Sequence, residues 1–337
     1  MIDLSTAYLG LKLKNPLVAS SSPLTESTDN LRRLEDAGAA AVVLPSIFEE
    51  QLALESNALN RDMDRGTESF AEAVSYLPEY DDYRQGQDAY LSNLQRAKTS
   101  CGVPVIASLN GATPRGWVRF AKEIEQAGAD AIELNTYSLA TSMDDTSVSV
   151  EKALIGLVRQ IKASTALPVA VKLSPQYTSL PHLAKELDKA GADALVLFNR
   201  FYQPDFDLER LDVNPTLTLS RPEELLLRLH WTAVLYGNVR ADLAITGGVH
   251  SGRDILKSVM AGAQVAMTAS ALLARGITHL TAMLEELVRW MEEHEYESVR
   301  QMRGSLSRRA VPDASAFERG NYIKTLSSYT LRPQTAQ

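Results

Sequence analysis

The chain has 337 residues, of which 45% are apolar and 23% charged, as in ordinary globular proteins, and no apolar stretch is long enough to span a membrane. Its net charge of −8 argues against nucleic acid or an anionic membrane as a partner. The single cysteine, Cys101, excludes a disulfide within the chain, and we therefore expect a cytoplasmic location.

Eight short apolar runs are predicted to be strands. In chain order they are residues 15–22, 38–46, 103–111, 128–136, 167–175, 191–199, 241–248 and 262–270. Four of them follow a polar, helix-like segment that ends in Ala-Gly-Ala, where glycine suits a helix C-terminus. The runs lack in/out alternation, which is typical of parallel strands buried on both faces. This pattern predicts a (β/α)₈ TIM barrel. A doubly wound sheet is the competing fold, but its GxGxxG turn is absent from the sequence.

The domain organisation is predicted to be one barrel over residues 1–300, with an acidic, lid-like insertion at about 49–88. Residues 301–337 form a C-terminal helical extension in this interpretation. Its apolar positions predict a docked helix, and the chain is expected to be disordered from about Pro333. Those positions are Phe317, Tyr322, Ile323, Leu326 and Tyr329.

Barrel enzymes carry their chemistry where strands end and loops begin. The polar residues at the predicted strand ends are mostly hydroxyls and amides: Ser20, Ser21, Ser22, Ser46, Ser108, Asn110, Asn135, Ser138, Lys172, Ser174, Asn199, Thr246, Thr268 and Ser270. They include neither a carboxylate pair nor a set of residues with metal-ligand spacing. We therefore expect no metal and no glycosidase-like hydrolase.

Two late strands end in small residues, in the stretches TGGVHSG (246–252) and TASALLARG (268–276). Backbone N–H groups of such turns can hold a phosphate, and barrels commonly place a phosphate site after strands 7 and 8. The alternative is that these glycines only make tight turns. We favour the phosphate site because of its place in the fold.

Lys172 ends the buried run LPVAVKLSP and needs an anionic partner there. One interpretation is that it faces an anion in the barrel mouth. The other is a structural salt bridge with a neighbouring carboxylate such as Glu133. We favour the functional role.

In order and spacing, several stretches resemble the dihydroorotate dehydrogenase family of FMN-dependent barrels over nearly the whole chain. They are NPLVASSSP, ELNTYS, VKLSP, ITGGVHSG, TASALL and YESVRQMRGSL. The resemblance implies FMN as cofactor. It assigns Lys172 to the flavin ring, and it places Asn135 and Asn199 over the flavin face. It assigns Gly247, Gly248, Ala269 and Ser270 to the FMN phosphate, and Ala19, Ser20 and Ser21 to the isoalloxazine edge. We add Ser46 and Asn110 from their strand-end positions.

The resemblance also places Ser138 at the position of the family's catalytic base, which is Cys in the soluble class and Ser in the membrane-bound class. That base removes a proton while the neighbouring C–H gives hydride to flavin N5. A serine needs a polarised pocket or a water chain for this role. The alternative is that Ser138 is a loop residue that caps the next helix.

The sequence departs from the family where orotate binds. Pro45 stands in place of the Lys of the T-K-S motif, the Asn-bearing motif is missing near SYLPEYDDY (75–83), and Ala140 replaces a further Asn. Arg200, and after it Arg115, is the expected substitute cation for the substrate.

The expected function is an FMN-dependent oxidoreductase acting on CH–CH groups, similar to dihydroorotate dehydrogenases, with a small-molecule substrate. Two alternatives stay open: the same scaffold acting on a dihydropyrimidine or other non-orotate substrate, and a non-catalytic flavin-binding protein. We expect a homodimer, and a partner subunit for electron transfer is left open. The chain itself has no cysteine cluster for an iron–sulfur centre.

Overall fold

The computed structural model describes residues 2–49, 86–111 and 117–328. The strands in this part of the chain are β1 (Thr6–Tyr8), β2 (Leu11–Leu13), β3 (Leu17–Ala19), β4 (Val42–Phe48), β5 (Val105–Asn110), β6 (Ala131–Asn135), β7 (Val169–Leu173), β8 (Ala194–Leu197), β9 (Asp205–Asp207), β10 (Asp212–Asn214), β11 (Asp242–Thr246) and β12 (Val265–Thr268). Eight of them form a closed parallel barrel in the order β3-β4-β5-β6-β7-β8-β11-β12, and β12 pairs with β3. The predicted (β/α)₈ barrel is confirmed. Seven predicted runs contain their strand, and the eighth strand, β4, extends two residues past its run.

The helices lie around the outside of the barrel. They are α1 (Thr28–Asp36), α2 (Gln87–Ser100), α3 (Trp117–Gln126), α4 (Ser147–Ser164), α5 (Leu180–Ala190), α6 (Leu225–Leu235), α7 (Gly252–Ala261), α8 (Ser270–Arg275), α9 (His279–Glu293), α10 (Val299–Met302) and α11 (Asn321–Ser327). Gly191 is one of the glycines predicted to end a helix. It directly follows α5 and has φ +97°. A residue with a β-carbon would be strained there.

The barrel has two hydrophobic cores, one on each face of its sheet. The larger lies between strands and helices, and the smaller fills the barrel interior. Inside, Ala131, Ala170, Ala194 and Ala244 leave room for the ring of Tyr8, which is completely buried. Tyr8 comes from the β1–β2 hairpin, whose Leu9 N–H donates to Asp242 at the start of β11. The hairpin therefore closes the amino end, and the carboxyl ends of the strands are left to form a site.

The C-terminal segment contacts the barrel helices at first and then leaves them. Leu306 N–H donates to Met260 O of α7, and Arg308 N–H donates to Ala233 O of α6. The predicted helix forms as α11, but its apolar side chains Tyr322, Ile323 and Leu326 are exposed. The expected helix therefore does not dock on the described barrel, because these side chains contact too little of it to be buried. Packing of this helix on a second subunit stays a prediction.

Some predictions about organisation stay predictions. The boundary at residue 300 is not marked by a break, since residues 304–308 still bond to barrel helices. Most of the acidic insertion (residues 50–85), the segment 112–116 that includes Arg115, and the tail from residue 329 lie outside the described residues.

Candidate functional site

The carboxyl ends of the strands surround an open cavity of about 1060 Å³, here named the wide cavity. Its lining includes six residues predicted from the sequence: Ser21, Ser46, Asn110, Asn135, Lys172 and Asn199. Aromatic side chains from the end of β4, from α2 and from the surrounding loops complete much of the wall: Phe48, Tyr90, Tyr137 and Tyr202. Amides, hydroxyls and aromatic rings around a volume of this size are typical of a site for a planar organic ligand.

A smaller space of about 100 Å³, here named the narrow cavity, adjoins the wide one. Ser21, Lys172, Asn199 and Tyr202 line both. The narrow cavity is otherwise lined mainly by small residues and one arginine: Ser20, Arg200, Ser220, Thr246, Gly247, Gly248, Thr268, Ala269 and Ser270. The structure thus brings the predicted ring-binding and phosphate-binding residues to adjoining spaces.

Ala19 is placed differently from the other predicted site residues. It is completely buried and belongs to the core between strands and helices. Its side chain faces away from the barrel interior, and it is absent from the described lining of either cavity.

Lys172 and Glu133 form a buried ion pair across β6 and β7. The Lys172 Nζ lies 3.2 Å from Glu133 Oε1, and both side chains are more than nine-tenths buried. The other carboxylate oxygen, Glu133 Oε2, is buried without a hydrogen-bond partner among the described residues. Lys172 therefore makes the salt bridge of the second interpretation and also lines both cavities, and its role towards a ligand stays a prediction.

The two predicted asparagines are joined by a hydrogen bond. Asn199 Nδ2 donates to Asn135 Oδ1 at 2.6 Å, and Arg200 N–H donates to Asn199 Oδ1 at 3.1 Å. Asn135 stands beside Lys172 in the β6–β7 register. These bonds orient both amides. Asn199 lines both cavities and Asn135 lines the wide one, so each can offer a polar group to a ligand.

The two glycines after β11 have left-handed backbones, with φ +87° at Gly247 and +80° at Gly248. A β-carbon on Gly248 would lie 2.4 Å from the backbone nitrogen of Leu225, which shows how closely the turn packs on the start of α6. The glycines therefore make tight turns, as one interpretation required, and also line the narrow cavity, as the other required.

Ser220 lies against this turn. Its Oγ accepts from Gly248 N–H at 3.4 Å and lies 3.3 Å from His250 Nε2, while its own N–H donates to Ser270 Oγ at 3.0 Å. Burial lowers the pKa of His250, and the charges of Asp254 and Glu224 oppose that shift. The imidazole of His250 therefore lies behind the Ser220 hydroxyl, which lines the narrow cavity.

Arg200 lines the narrow cavity and is not part of the described lining of the wide one. Its Nη2 donates to Leu219 O at 3.2 Å and to Glu224 Oε1 at 3.3 Å. The second oxygen of Glu224 lies 3.8 Å from Nη2 of Arg228, a buried residue that donates from Nε to Thr246 O. One carboxylate is therefore shared by two arginines beside the Gly247-Gly248 turn.

Ser138 is not brought together with Lys172. The loop after β6 leaves Ser138 exposed, and its side chain lines a separate space of about 320 Å³ with Asp145, Ser149 and Tyr177. Thr146, not Ser138, caps α4 by accepting from Ser149 N–H. In this arrangement Ser138 neither faces the ring-binding space nor performs the capping role that was its alternative.

Several residues of the site were not found from the sequence, and three of them show why. Tyr90 lies on α2, and its hydroxyl donates to Ser108 O and accepts from Ser108 N–H. Ser220 precedes α6 in a loop, and Arg228 lies within α6. A search of strand ends cannot find residues that reach the site from helices and long loops.

Within the described segments, no group of three or more His, Cys, Asp or Glu side chains is placed to hold a metal ion. None of the helices in those segments is both long and apolar enough to cross a membrane.

Comparison with known proteins gives a consistent result. The sequence model of the family described as dihydroorotate dehydrogenase matches residues 3–291. Three similar proteins are each named dihydroorotate dehydrogenase B (NAD(+)), catalytic subunit. The one from Thermoplasma acidophilum is 27% identical over 311 residues, covering 90% of this chain and 99% of that protein. The one from Methanocella arvoryzae is 30% identical over 259 residues (75% and 82%), and the one from a Geobacter species is 29% identical over 317 residues (90% and 98%).

Proposed function

The chain belongs to the dihydroorotate dehydrogenase family, and from that premise we propose that it is an FMN-dependent oxidoreductase acting on a CH–CH bond of a small cyclic substrate. The observation that carries the proposal is the placement of Lys172 and Asn199 between a wide cavity and a narrow one, with Asn135 beside them in the wide cavity. The wide cavity suits a ring system with a substrate above it. The narrow cavity, with its glycines and hydroxyls, suits a phosphate.

The residues present fit a flavin mononucleotide in three respects. Both strand-end glycines have the left-handed backbone that directs N–H groups into a turn. The narrow cavity is lined by Lys172 and Arg200 and by no carboxylate among its described residues. Glu133 Oε2 is a buried oxygen without a described partner, directly beside the Lys172 ammonium. A dinucleotide would need a further site, and the GxGxxG turn is absent from the sequence.

Bound FMN would supply a two-electron acceptor for hydride from the substrate. Lys172 would hold negative charge on the reduced ring, because it is a fixed cation in a site of low dielectric. Asn135 and Asn199 would orient substrate and cofactor through amide groups that are already held by their mutual bond. Ser138 would take the substrate proton while its own hydroxyl proton passes to a chain of water molecules, and the loop that follows β6 must turn towards the wide cavity for this step.

The wide cavity supports a second candidate function, in which the substrate is not dihydroorotate. Pro45 lines that cavity at the position where the family resemblance would place a lysine. Among the described lining residues the only cation is Lys172, and Glu133 already pairs with it. A substrate carboxylate would be desolvated there without a free cation from these segments. A neutral ring such as a dihydropyrimidine avoids that cost.

We also propose that electrons leave through a partner protein, because the similar proteins are named as catalytic subunits of NAD(+)-type enzymes. The chain alone is proposed to form a homodimer. Light scattering of the purified chain gives its mass directly, and a monomer at micromolar concentration would refute the dimer.

The experiment that tests the function is flavin reconstitution followed by anaerobic titration. Absorbance near the flavin bands should show stoichiometric uptake of FMN, and FAD should not compete. Dihydroorotate, neutral dihydropyrimidines and buffer alone are then added to separate samples. Bleaching by a dihydropyrimidine supports the second candidate, and bleaching by dihydroorotate supports the first. A protein that takes up no flavin contradicts the proposal.

A further inference from the structure

We propose that Arg200 binds the phosphate of the cofactor and not the carboxylate of the substrate. The inference rests on the proposed FMN site. It adds that a guanidinium binds the phosphate there together with backbone N–H groups. It changes the role that the sequence suggests for Arg200, and the reason is where the side chain lies.

Arg200 differs from Asn199 and Tyr202 in the cavities that it lines. Its neighbours Asn199 and Tyr202 line both cavities, whereas Arg200 lines the narrow one only, together with Gly247, Gly248 and other small residues. The guanidinium is held in that direction by Leu219 O and by Glu224 Oε1. Its carbon lies 5.8 Å from the centroid of the Tyr202 ring, which supports one face of the cation.

The guanidinium has donors to spare. Its hydrogen bonds to described residues all come from Nη2. A guanidinium carries five N–H donors in a planar fork that matches a phosphate. In the structure of the described segments, Nε and Nη1 are therefore available to a ligand in the narrow cavity, and the side chain is already oriented.

The local charge also favours an anion. Arg200 and Arg228 share the single carboxylate of Glu224, at 3.3 and 3.8 Å, so these three groups carry one net positive charge. Arg228 is fixed under the turn by bonds from Nε to Thr246 O and from Nη1 to Glu224 O. The uncompensated charge is thus presented by Arg200, which is partly exposed, whereas Lys172 is compensated by Glu133.

The test compares a flavin that has a phosphate with one that lacks it. FMN and riboflavin are titrated into flavin-free wild-type protein, Arg200→Gln and Arg200→Lys, with quenching of flavin fluorescence as the readout. Arg240→Gln is the matched control, because it removes the same charge from an exposed residue before β11, at the amino end of the barrel.

We expect Arg200→Gln to weaken FMN binding about 10- to 100-fold, the range of a charge-assisted hydrogen bond, and to leave riboflavin binding unchanged. Arg200→Lys should recover part of the loss, and Arg240→Gln should match the wild type.

Three results would overturn the inference. If FMN binds Arg200→Gln as tightly as wild type, Arg200 does not contact the phosphate. If Arg200→Gln in that case needs more dihydroorotate than the wild type to reduce half of its flavin, Arg200 binds the substrate carboxylate instead. If both flavins weaken equally, its effect is on the fold. If wild-type protein binds neither flavin, the proposed function itself fails.

Discussion

Lys172 Nζ lies 3.2 Å from Glu133 Oε1 inside the barrel, so the one buried lysine that faces the cavities is also the partner of a buried carboxylate. Its two roles can be separated by changing both residues. Removing one member of a buried pair leaves the other charge unpaired, whereas removing both does not.

Lys172→Met should lower the free energy of unfolding of the flavin-free protein by about 3–5 kcal/mol, because Glu133 loses its counter-charge. The double variant Lys172→Met, Glu133→Gln should recover most of that loss and still bind and reduce flavin poorly. Urea unfolding and flavin titration measure the two effects. Lys189→Met, which breaks the exposed pair with Glu186, is the control and should cost at most about 1 kcal/mol. Normal flavin reduction in the double variant would leave Lys172 with a structural role alone.

Gly248→Ala should reduce stability and FMN content together. Its backbone has φ +80°, and the added carbon would lie 2.4 Å from Leu225 N, so the turn must shift. Gly276→Ala is the control, because Gly276 has φ +87° with open space around it and should show only the backbone cost of an alanine at positive φ, about 1–3 kcal/mol. Thermal unfolding and bound-flavin absorbance compare them. Equal effects of the two variants would mean that the close approach at Gly248 is unimportant.

Ser138→Ala should leave flavin bound and slow substrate-dependent flavin reduction by about 10²–10⁴-fold, the contribution of a positioned acid or base. Ser138→Cys should retain reduction, because the soluble class of the family that the sequence resembles carries Cys there. Ser142→Ala, in the same exposed loop, is the control. Stopped-flow absorbance measures the rate. If Ser138→Ala reduces its flavin at the wild-type rate, Ser138 is not the catalytic base, in agreement with its exposed position in the structure, and the base lies elsewhere.

His250 should make stability fall in mild acid. Burial lowers its pKa below the ordinary value of 6.5, and Arg275 adds to that shift, while Asp254 and Glu224 oppose it. The unfolded chain therefore binds the proton more readily than the folded one. Stability is complete above about pH 6.5 and is lost as the pH falls towards the folded pKa. His250→Gln should flatten part of this slope in urea unfolding. An unchanged slope would assign the effect to other groups.

His230 is the matched control for that measurement. Burial also lowers its pKa, but its ring contacts Phe317 in the C-terminal segment, with centroids 5.9 Å apart. His230→Gln should also make the free energy of unfolding depend less on pH in mild acid, and it should leave FMN affinity unchanged. His250→Gln should weaken FMN binding, because it removes the ring that contacts Ser220 beside the Gly248 turn.

The barrel could be predicted from the sequence because its signals are local. A glycine such as Gly191 ends a helix, and the apolar run after it must be buried on both faces, so each unit indicates its own strand. The strand-end rule then places Lys172 and Asn199 together without knowledge of any contact. The buried position of Lys172 in its run also predicts an anionic partner, and Glu133 is the example of a neighbouring carboxylate in the alternative interpretation, although we favour the functional role.

The rest of the site depends on contacts between segments that are distant in sequence. The direction of Arg200 is set by Glu224, 24 residues later, and the placement of Ser138 depends on how its loop rests on α4. Tyr90 reaches the site from a helix. No local pattern encodes these contacts, so an arginine beside a strand-end asparagine could be assigned to the wrong end of the ligand.

The final prediction concerns the substrate. Pro45 lines the wide cavity where the family resemblance would place a lysine, and the Arg200 guanidinium is directed to the narrow cavity. A substrate carboxylate would then be desolvated without compensation from the described lining, at a cost of several kcal/mol. We expect dihydroorotate to reduce the flavin far more slowly than in a family member that has the lysine.

Pro45→Lys alone should not restore that reaction, since the Asn-bearing motif is absent from the sequence as well. Ser46→Lys is the control, because Ser46 lines the same cavity at the next position and tests for a nonspecific effect of added charge. Anaerobic stopped-flow reduction with dihydroorotate measures all three proteins. Rapid, saturable reduction of the wild type at micromolar dihydroorotate would contradict this prediction and make dihydroorotate the substrate. Rescue by Pro45→Lys alone would show that the lysine was the one missing element.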